Sequence, residues 1–294
     1  MHIGAIDVGS NAMRFLVSSF MPTGKDYSYQ RIEYLRYPIR LGEDVFKQKE
    51  IGKAKEDKFI KMLGAFKTMF EVFEVLSFRA CATSAMREAK NGKQIIERVK
   101  SELGFELEII DGETEAELIT LAISRMLDSS NYIHIDVGGG STELNLISNY
   151  KKVASKSFNI GTVRALNKGL KEKEWEAVKT FLDEHKLPKM TGVGTGGNIK
   201  KLHELAEGRP ENAMQLVTLN SIYEVLKNMT LEDRQQKLKL NQDRADVIVP
   251  AAEIFSKILS WANVERIYAP NIGLVDGIVT DQWVRGLKNS QSPN

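Results

Sequence analysis

Apolar and polar positions alternate at the start of the chain and then break. His2-Ile3-Gly4-Ala5-Ile6-Asp7-Val8 is followed by Gly9-Ser10-Asn11, and Met13-Arg14-Phe15-Leu16-Val17 resumes the apolar run. Two β-rich runs joined by small residues predict a hairpin. A third strand is expected within 29–39, which is rich in Tyr, Ile and Leu. Over 53–73 the period becomes helical, with Phe59, Met62, Leu63, Phe66, Met69, Phe70 and Phe73 on one broad face. Short strands at 75–81 and 105–110 then alternate with helices at 84–88, 94–103 and 113–127.

The opening pattern recurs in mid-chain. An apolar run from Asn131 ends Ile135-Asp136-Val137, Gly138-Gly139-Gly140-Ser141-Thr142 follows, and a strand resumes at 143–147. Ile6-Asp7-Val8-Gly9-Ser10 matches Ile135-Asp136-Val137-Gly138-Gly139, and a third strand at 151–158 and helices follow as before. This is duplication at the scale of a domain, not a short solenoid repeat. The second half continues with helices within 162–185, a strand at 189–193, a helix from Asn198, helices at about 218–227 and 243–261, and a strand at 266–269. A last helix begins near Gly273, and the polar tail after Leu287 is expected to fray. Two domains are read, 1–124 and 125–294, with a helix at about 273–288 packing back onto the first. No low-complexity linker separates them, so a shared cleft is expected.

Composition sharpens this picture. A chain of 294 residues carries a prior of two domains at roughly 150 residues each. Lys plus Arg is 41 and Asp plus Glu 39, and a net charge of +2 argues against wholesale coating of nucleic acid while allowing a local polyanion site. The single cysteine, Cys81, excludes a disulfide framework, fits a reducing cytosol and reads as a small buried hydrophobe. Four scattered histidines make no zinc site, and His134, between Ile133 and Ile135, reads as a packed core residue. The apolar stretch from His2 is broken by Asp7 and Arg14, well short of the ~20 residues that a spanning helix needs. It also lacks the features of a secretory signal, so a cytoplasmic protein is expected.

Glycines and hydroxyls after a strand-end Asp suit phosphate, because Gly lets backbone N–H groups approach phosphoryl oxygens and Ser or Thr adds a neutral donor. The Asp suits Mg²⁺, a cation that takes oxygen ligands and keeps several waters. Two such loops in facing domains would grip a phosphate chain from both sides. Gly192-Val193-Gly194-Thr195-Gly196-Gly197 formally contains GxGxxG, but the acidic partner that a dinucleotide site needs about 20 residues on is missing. Asn198 follows Gly197, so there is no Walker A motif either.

At these residues the sequence resembles the exopolyphosphatase/guanosine pentaphosphate phosphatase (Ppx/GppA) family, a branch of the actin-like, sugar-kinase-like ATPase superfamily. The resemblance rests on Ile6-Asp7-Val8-Gly9-Ser10-Asn11, on Ala82-Thr83-Ser84-Ala85-Met86-Arg87-Glu88-Ala89-Lys90-Asn91 and on Ile135-Asp136-Val137-Gly138-Gly139-Gly140-Ser141-Thr142-Glu143-Leu144. Gly192-Val193-Gly194-Thr195-Gly196-Gly197, Arg244-Ala245-Asp246-Val247-Ile248-Val249-Pro250 and Gly273-Leu274-Val275-Asp276-Gly277 follow in family order. It implies an α/β fold of duplicated actin-like (ribonuclease H-like) domains with an interdomain cleft. It also implies metal-dependent hydrolysis of a terminal phosphoanhydride, with inorganic polyphosphate the favoured substrate.

The residue roles are carried by the same resemblance. Glu115, in Glu113-Thr114-Glu115-Ala116-Glu117, is the implied catalytic base; spacing alone does not choose it over Glu113 or Glu117. Relatives often show a second acid before the Ala and an Arg after it, where Thr114 and Glu117 stand here. Gly9, Ser10, Asn11, Arg14, Arg87, Gly138, Gly139, Gly140, Ser141 and Thr142 are the implied phosphate ligands. Asp7, Asp136 and Glu143 are the implied ligands of Mg²⁺ or another divalent cation and its waters. Expected partners are inorganic polyphosphate or guanosine pentaphosphate (pppGpp), with neither nucleic acid nor membrane, and a homodimer stays open. The alternatives are a pppGpp 5′-phosphohydrolase and a polyphosphate or alarmone sensor with little turnover; a sugar or acetate kinase ranks last.

Overall fold

Small residues between two apolar runs do produce the N-terminal hairpin. In the computed structural model, which describes residues 1–23, 26–208 and 212–290, β1 (His2–Val8) pairs antiparallel with β2 (Met13–Thr23), and β2 with β3 (Asp26–Tyr37). Helices α1 (Leu41–Gln48) and α2 (Lys53–Val72) follow, then β4 (Ser77–Ala82), α3 (Ser84–Glu88), α4 (Gly92–Leu103), β5 (Leu107–Ile109) and α5 (Gly112–Ile123). The second half repeats the plan with β6 (Asn131–Val137), β7 (Thr142–Ser148), β8 (Lys151–Phe158), α6 (Thr162–Lys168), α7 (Glu172–Glu184), β9 (Thr191–Thr195) and α8 (Gly197–Leu205). It ends with β10 (Met214–Gln215), α9 (Leu216–Asn228), α10 (Leu231–Gln236), α11 (Gln242–Ala245), α12 (Ile248–Trp261), β11 (Arg266–Tyr268) and α13 (Leu274–Ser290).

The chain divides into two units, Met1–Ala122 joined by the segment from Gly273, and Ile123–Ile272. The first sheet runs β3-β2-β1-β4-β5; the second, read from its hairpin edge, runs β8-β7-β6-β9-β11 with β10 added. Each sheet therefore has the same order, three antiparallel strands followed by parallel ones. This is the duplicated actin-like (ribonuclease H-like) α/β fold.

In the first unit Phe59, Leu63, Phe66 and Phe70 form the buried stripe of α2, and Phe15 of β2 packs on Phe66 and Phe70 at centroid distances of 5.1 and 4.6 Å. The stripe is narrower than the pattern predicts: Met62, Met69 and Phe73 are only half-buried. The opposite face of that sheet, through Ile3, Ala5, Leu16 and Phe20, is covered by Ile278, Val279 and Trp283 of α13. In the second unit Val178, Phe181 and Leu182 of α7 and Ile254, Phe255 and Ile258 of α12 join Ile133, Ile135, Leu144 and Leu146 in one core.

Four departures from the sequence pattern have local causes. Helix α1 is unexpected because its stripe, Leu41, Val45 and Phe46, is only one turn and a half long and enters through Arg40 at a left-handed φ of 56°. The expected helix over 243–261 is broken at Asp246–Val247; Pro250 lacks an N–H for Asp246 and its ring crowds that carbonyl. The expected helix over 113–127 stops at Ile123 and closes in a 3₁₀ turn, Ser124–Met126. The C-terminal helix runs on to Ser290 instead of fraying from Leu287, and 291–294 lie outside the described residues. Among the described residues no helix is long and apolar enough to cross a membrane.

Candidate active site

In the first unit β1, β4 and β5 are parallel, so their carboxyl ends lie along one edge, where open α/β sheets bind ligands. Asp7 stands at the end of β1, buried, with Arg14 opposite it in register on β2; Nη1 of Arg14 donates to Oδ2 of Asp7 at 2.6 Å. Burial pushes the Asp7 carboxyl above its ordinary value, against the opposing charge and hydrogen bond of Arg14. The 9–11 turn closes through a Gly9 N–H to Ala12 carbonyl bond of 3.1 Å, and the Ser10 and Ser84 hydroxyls meet at 2.9 Å. Ser84 begins α3, which carries Arg87. That guanidinium is exposed and donates to the Ile110 carbonyl at 2.6 Å, not to the side chain of Thr83 or Asn91.

Ile110 leads into α5 through Asp111, whose Oδ1 caps the helix by accepting from the Thr114 N–H at 2.8 Å. That hydrogen bond, with Arg87 nearby, holds the Asp111 carboxyl below its usual range. The three glutamates of the first turns are sorted by burial: Glu115 is 8% exposed, whereas Glu113 and Glu117 are exposed to solvent. Spacing could not make this distinction, because it depends on which side of α5 packs on the sheet.

The second unit repeats the geometry with different charges. Asp136, at the end of β6, lies opposite Glu143 on β7, the pairing that Asp7 and Arg14 have in the first hairpin. Glu143 is 1% exposed and accepts from the Ser157 hydroxyl at 2.9 Å. The 138–141 turn closes through a Gly138 N–H to Ser141 carbonyl bond of 2.9 Å. Thr142 is fully buried and donates its hydroxyl to the Ile160 carbonyl, so its side chain braces the turn. Gly196, at φ 91° after β9, completes the edge: a Cβ there would stand 3.1 Å from Oδ1 of Asp136. Arg244, part of a segment with no assigned role in the sequence, donates to the Gly197 carbonyl at 2.6 Å and so anchors the start of α8.

A ladder of polar side chains crosses four strands beneath Asp136. Ser155 donates to Asn145 at 2.7 Å, Asn145 meets Nδ1 of His134 at 2.9 Å, and Nε2 of His134 meets the Thr195 hydroxyl at 2.9 Å. His134 is fully buried, and burial pulls its imidazole down to about 3, so it is neutral, with Nδ1 accepting and Nε2–H donating. Cys81 is likewise buried, its thiol pushed up to about 12 by desolvation, which suits packing and not nucleophilic work.

Both turns are also held from behind by a helix start, a feature that the sequence pattern did not flag. The N–H groups of Arg40 and Gly42 donate to the Asn11 and Ser10 carbonyls, and those of Thr162 and Val163 to the Gly138 and Gly139 carbonyls, all within 3.0 Å.

Among the described residues no three His, Cys, Asp or Glu side chains are gathered as a ready cation cage. Mg²⁺ does not require one, since it is held by one or two carboxylates together with waters and phosphate oxygens. Asp136 and Glu143 suit that need, because two hard-oxygen acids lie opposite each other in register on β6 and β7. Asp7 already has a cation in Arg14.

The sequence model of the Ppx/GppA phosphatase family matches residues 24–285. The chain belongs to the Ppx/GppA phosphatase family. Exopolyphosphatase 1 of Mycobacterium leprae is 25% identical over 305 residues, covering 95% of this chain and 88% of the relative. The guanosine-5′-triphosphate,3′-diphosphate pyrophosphatase of Vibrio cholerae is also 25% identical, over 94% of this chain but 58% of the relative. The crystal structure of the Aquifex aeolicus family member superimposes with a TM-score of 0.79 at 27% identity, covering 99% of both chains.

Proposed function

We propose that this Ppx/GppA phosphatase is an exopolyphosphatase that releases orthophosphate from the end of inorganic polyphosphate. One observation carries the reading: both hairpins end in an Asp and a small-residue turn whose carbonyls are bound inward to a helix, which leaves the turn suited to an anion. A phosphate group is the ligand that suits each such turn. Glu115 orients and deprotonates a water, which attacks the terminal phosphorus as the bridging P–O bond breaks and the shortened chain departs. Burial near the first turn of α5 keeps bulk water from competing for Glu115.

The 9–11 and 138–141 turns, Arg14 and Arg87 hold phosphoryl oxygens. Asp136 and Glu143 would hold Mg²⁺, which when bound would neutralise charge on a phosphoryl group. Polyphosphate is favoured over pppGpp because the exopolyphosphatase relative is matched over 88% of its length and the guanosine pyrophosphatase over 58%. The test is orthophosphate release from long-chain polyphosphate and from pppGpp, each with Mg²⁺ and with chelator. Mg²⁺-dependent release that is faster from polyphosphate supports the reading. Preference for pppGpp assigns the other substrate, and no release from either leaves a binding sensor.

A further inference from the structure

The Gly138–Ser141 turn touches two residues that no motif assigned. In a trans peptide the C=O of one residue and the N–H of the next point in opposite directions. The Gly138 carbonyl accepts from the Thr162 N–H at 3.0 Å, and the Gly139 carbonyl from the N–H groups of Val163 and Arg164 at 2.9 and 3.0 Å. The Gly140 carbonyl accepts from Nε of Arg164 at 2.8 Å. Three successive carbonyls are thus drawn toward α6, which turns the N–H groups of Gly139, Gly140 and Ser141 the other way as a row of donors. Gly161 permits the approach. At φ −149° its backbone suits any residue, yet a Cβ there would stand 2.4 Å from the Gly140 carbonyl carbon and 2.5 Å from the Gly139 oxygen.

We infer that Gly161 and Arg164 are positioning residues for phosphate binding: Gly161 by shape and Arg164 by its hydrogen bond to Gly140 together set the direction of the turn's donors. The inference rests on the reading that this turn holds phosphoryl oxygens. The first unit has an acid at the equivalent position. There Glu43 occupies the place of Arg164, and its carboxylate accepts from Nε of Arg40 at 2.6 Å.

The test measures binding of imidodiphosphate, whose P–N–P bridge resists hydrolysis, and steady-state KM and kcat on polyphosphate. Wild type is compared with Gly161→Ala, Arg164→Met and Arg164→Lys, each checked for folding by circular dichroism. Gly161→Ala changes no charge, so loss of affinity there reports displacement of the turn. Losing one hydrogen bond to an ionised ligand corresponds to about tenfold in affinity. Gly161→Ala and Arg164→Met should each weaken imidodiphosphate binding by about that factor, raise KM and leave kcat within a few fold; Arg164→Lys should recover part of the loss. A folded Arg164→Met protein that binds within twofold of wild type overturns the inference, even if Gly161→Ala fails to fold. Wild type that neither binds imidodiphosphate nor releases orthophosphate removes the functional reading itself.

Discussion

Asp7 and Arg14 meet across β1 and β2 as a 2.6 Å ion pair, in the positions that Asp136 and Glu143 hold in the second hairpin. The same backbone device therefore presents a neutral pair in one unit and two acids in the other. Carboxylates directly opposite each other on neighbouring strands repel. Under the proposed function a bound Mg²⁺ would offset that repulsion in the second unit, as Arg14 offsets the Asp7 charge in the first.

If Asp136 and Glu143 hold the ion as proposed, divalent cation binding should stabilise the fold. At ten to a hundred times its dissociation constant, Mg²⁺ should stabilise the native state by about 1.4–2.7 kcal/mol. Thermal unfolding with Mg²⁺ and with chelator measures it. The gain should shrink sharply in Glu143→Gln, and an undiminished gain there would place the cation elsewhere.

Removing the partner of a buried acid is costly. Arg14→Met leaves the Asp7 carboxylate without its ion pair in a desolvated setting, while the Arg14 side chain itself is only 26% exposed. The loss should be about 2–3 kcal/mol, below the value for a fully buried pair because water reaches Arg14. Denaturant unfolding checks this, and a loss under 0.5 kcal/mol would mean that Asp7 is solvated in solution.

Gly196 is required twice over, by its φ of 91° and by the 3.1 Å between a Cβ there and Oδ1 of Asp136. Gly196→Ala should cost about 1–3 kcal/mol in stability, because φ 91° with ψ 168° is a conformation essentially confined to glycine. Orthophosphate release should fall further than that loss explains, by tenfold or more if Asp136 is displaced. Full activity in a destabilised variant would separate Gly196 from the site.

His134 predicts an acid limit. Its ordinary value is 6.5 and burial takes it to about 3, so the unfolded state binds the proton first. Its contribution is fully present above pH 6.5 and is lost as pH falls through the window toward 3, at up to about 1.4 kcal/mol per pH unit. Unfolding free energies at pH 7, 6 and 5 in chelator should fall more steeply for wild type than for His134→Gln. Equal slopes would show that His134 is charged or exposed.

The fold was legible where the hydrophobic period is local. The first strand at His2–Val8, the third strand of the second hairpin at Lys151–Phe158 and the short helix Ser84–Glu88 follow from alternation and turn chemistry. Helix α1 was not, because its role is to hold the carbonyls of Ser10 and Asn11, contacts some thirty residues away that leave no periodic trace. The candidate turns were visible as paired Asp-and-glycine segments. The braces behind them were hidden: Gly161 and Arg164 sit in an ordinary strand-to-helix junction. Burial likewise separates Glu115 from Glu113 and Glu117, since three acids in a first turn look alike until the helix is packed.

The proposed role of Glu115 is to activate water at a terminal phosphoanhydride. Its most direct test is single-turnover orthophosphate release from polyphosphate with Mg²⁺, for wild type and Glu115→Gln at equal occupancy. Loss of a general base should slow release by about 10²–10⁴-fold while polyphosphate still binds. Release at the wild-type rate from Glu115→Gln would contradict the account.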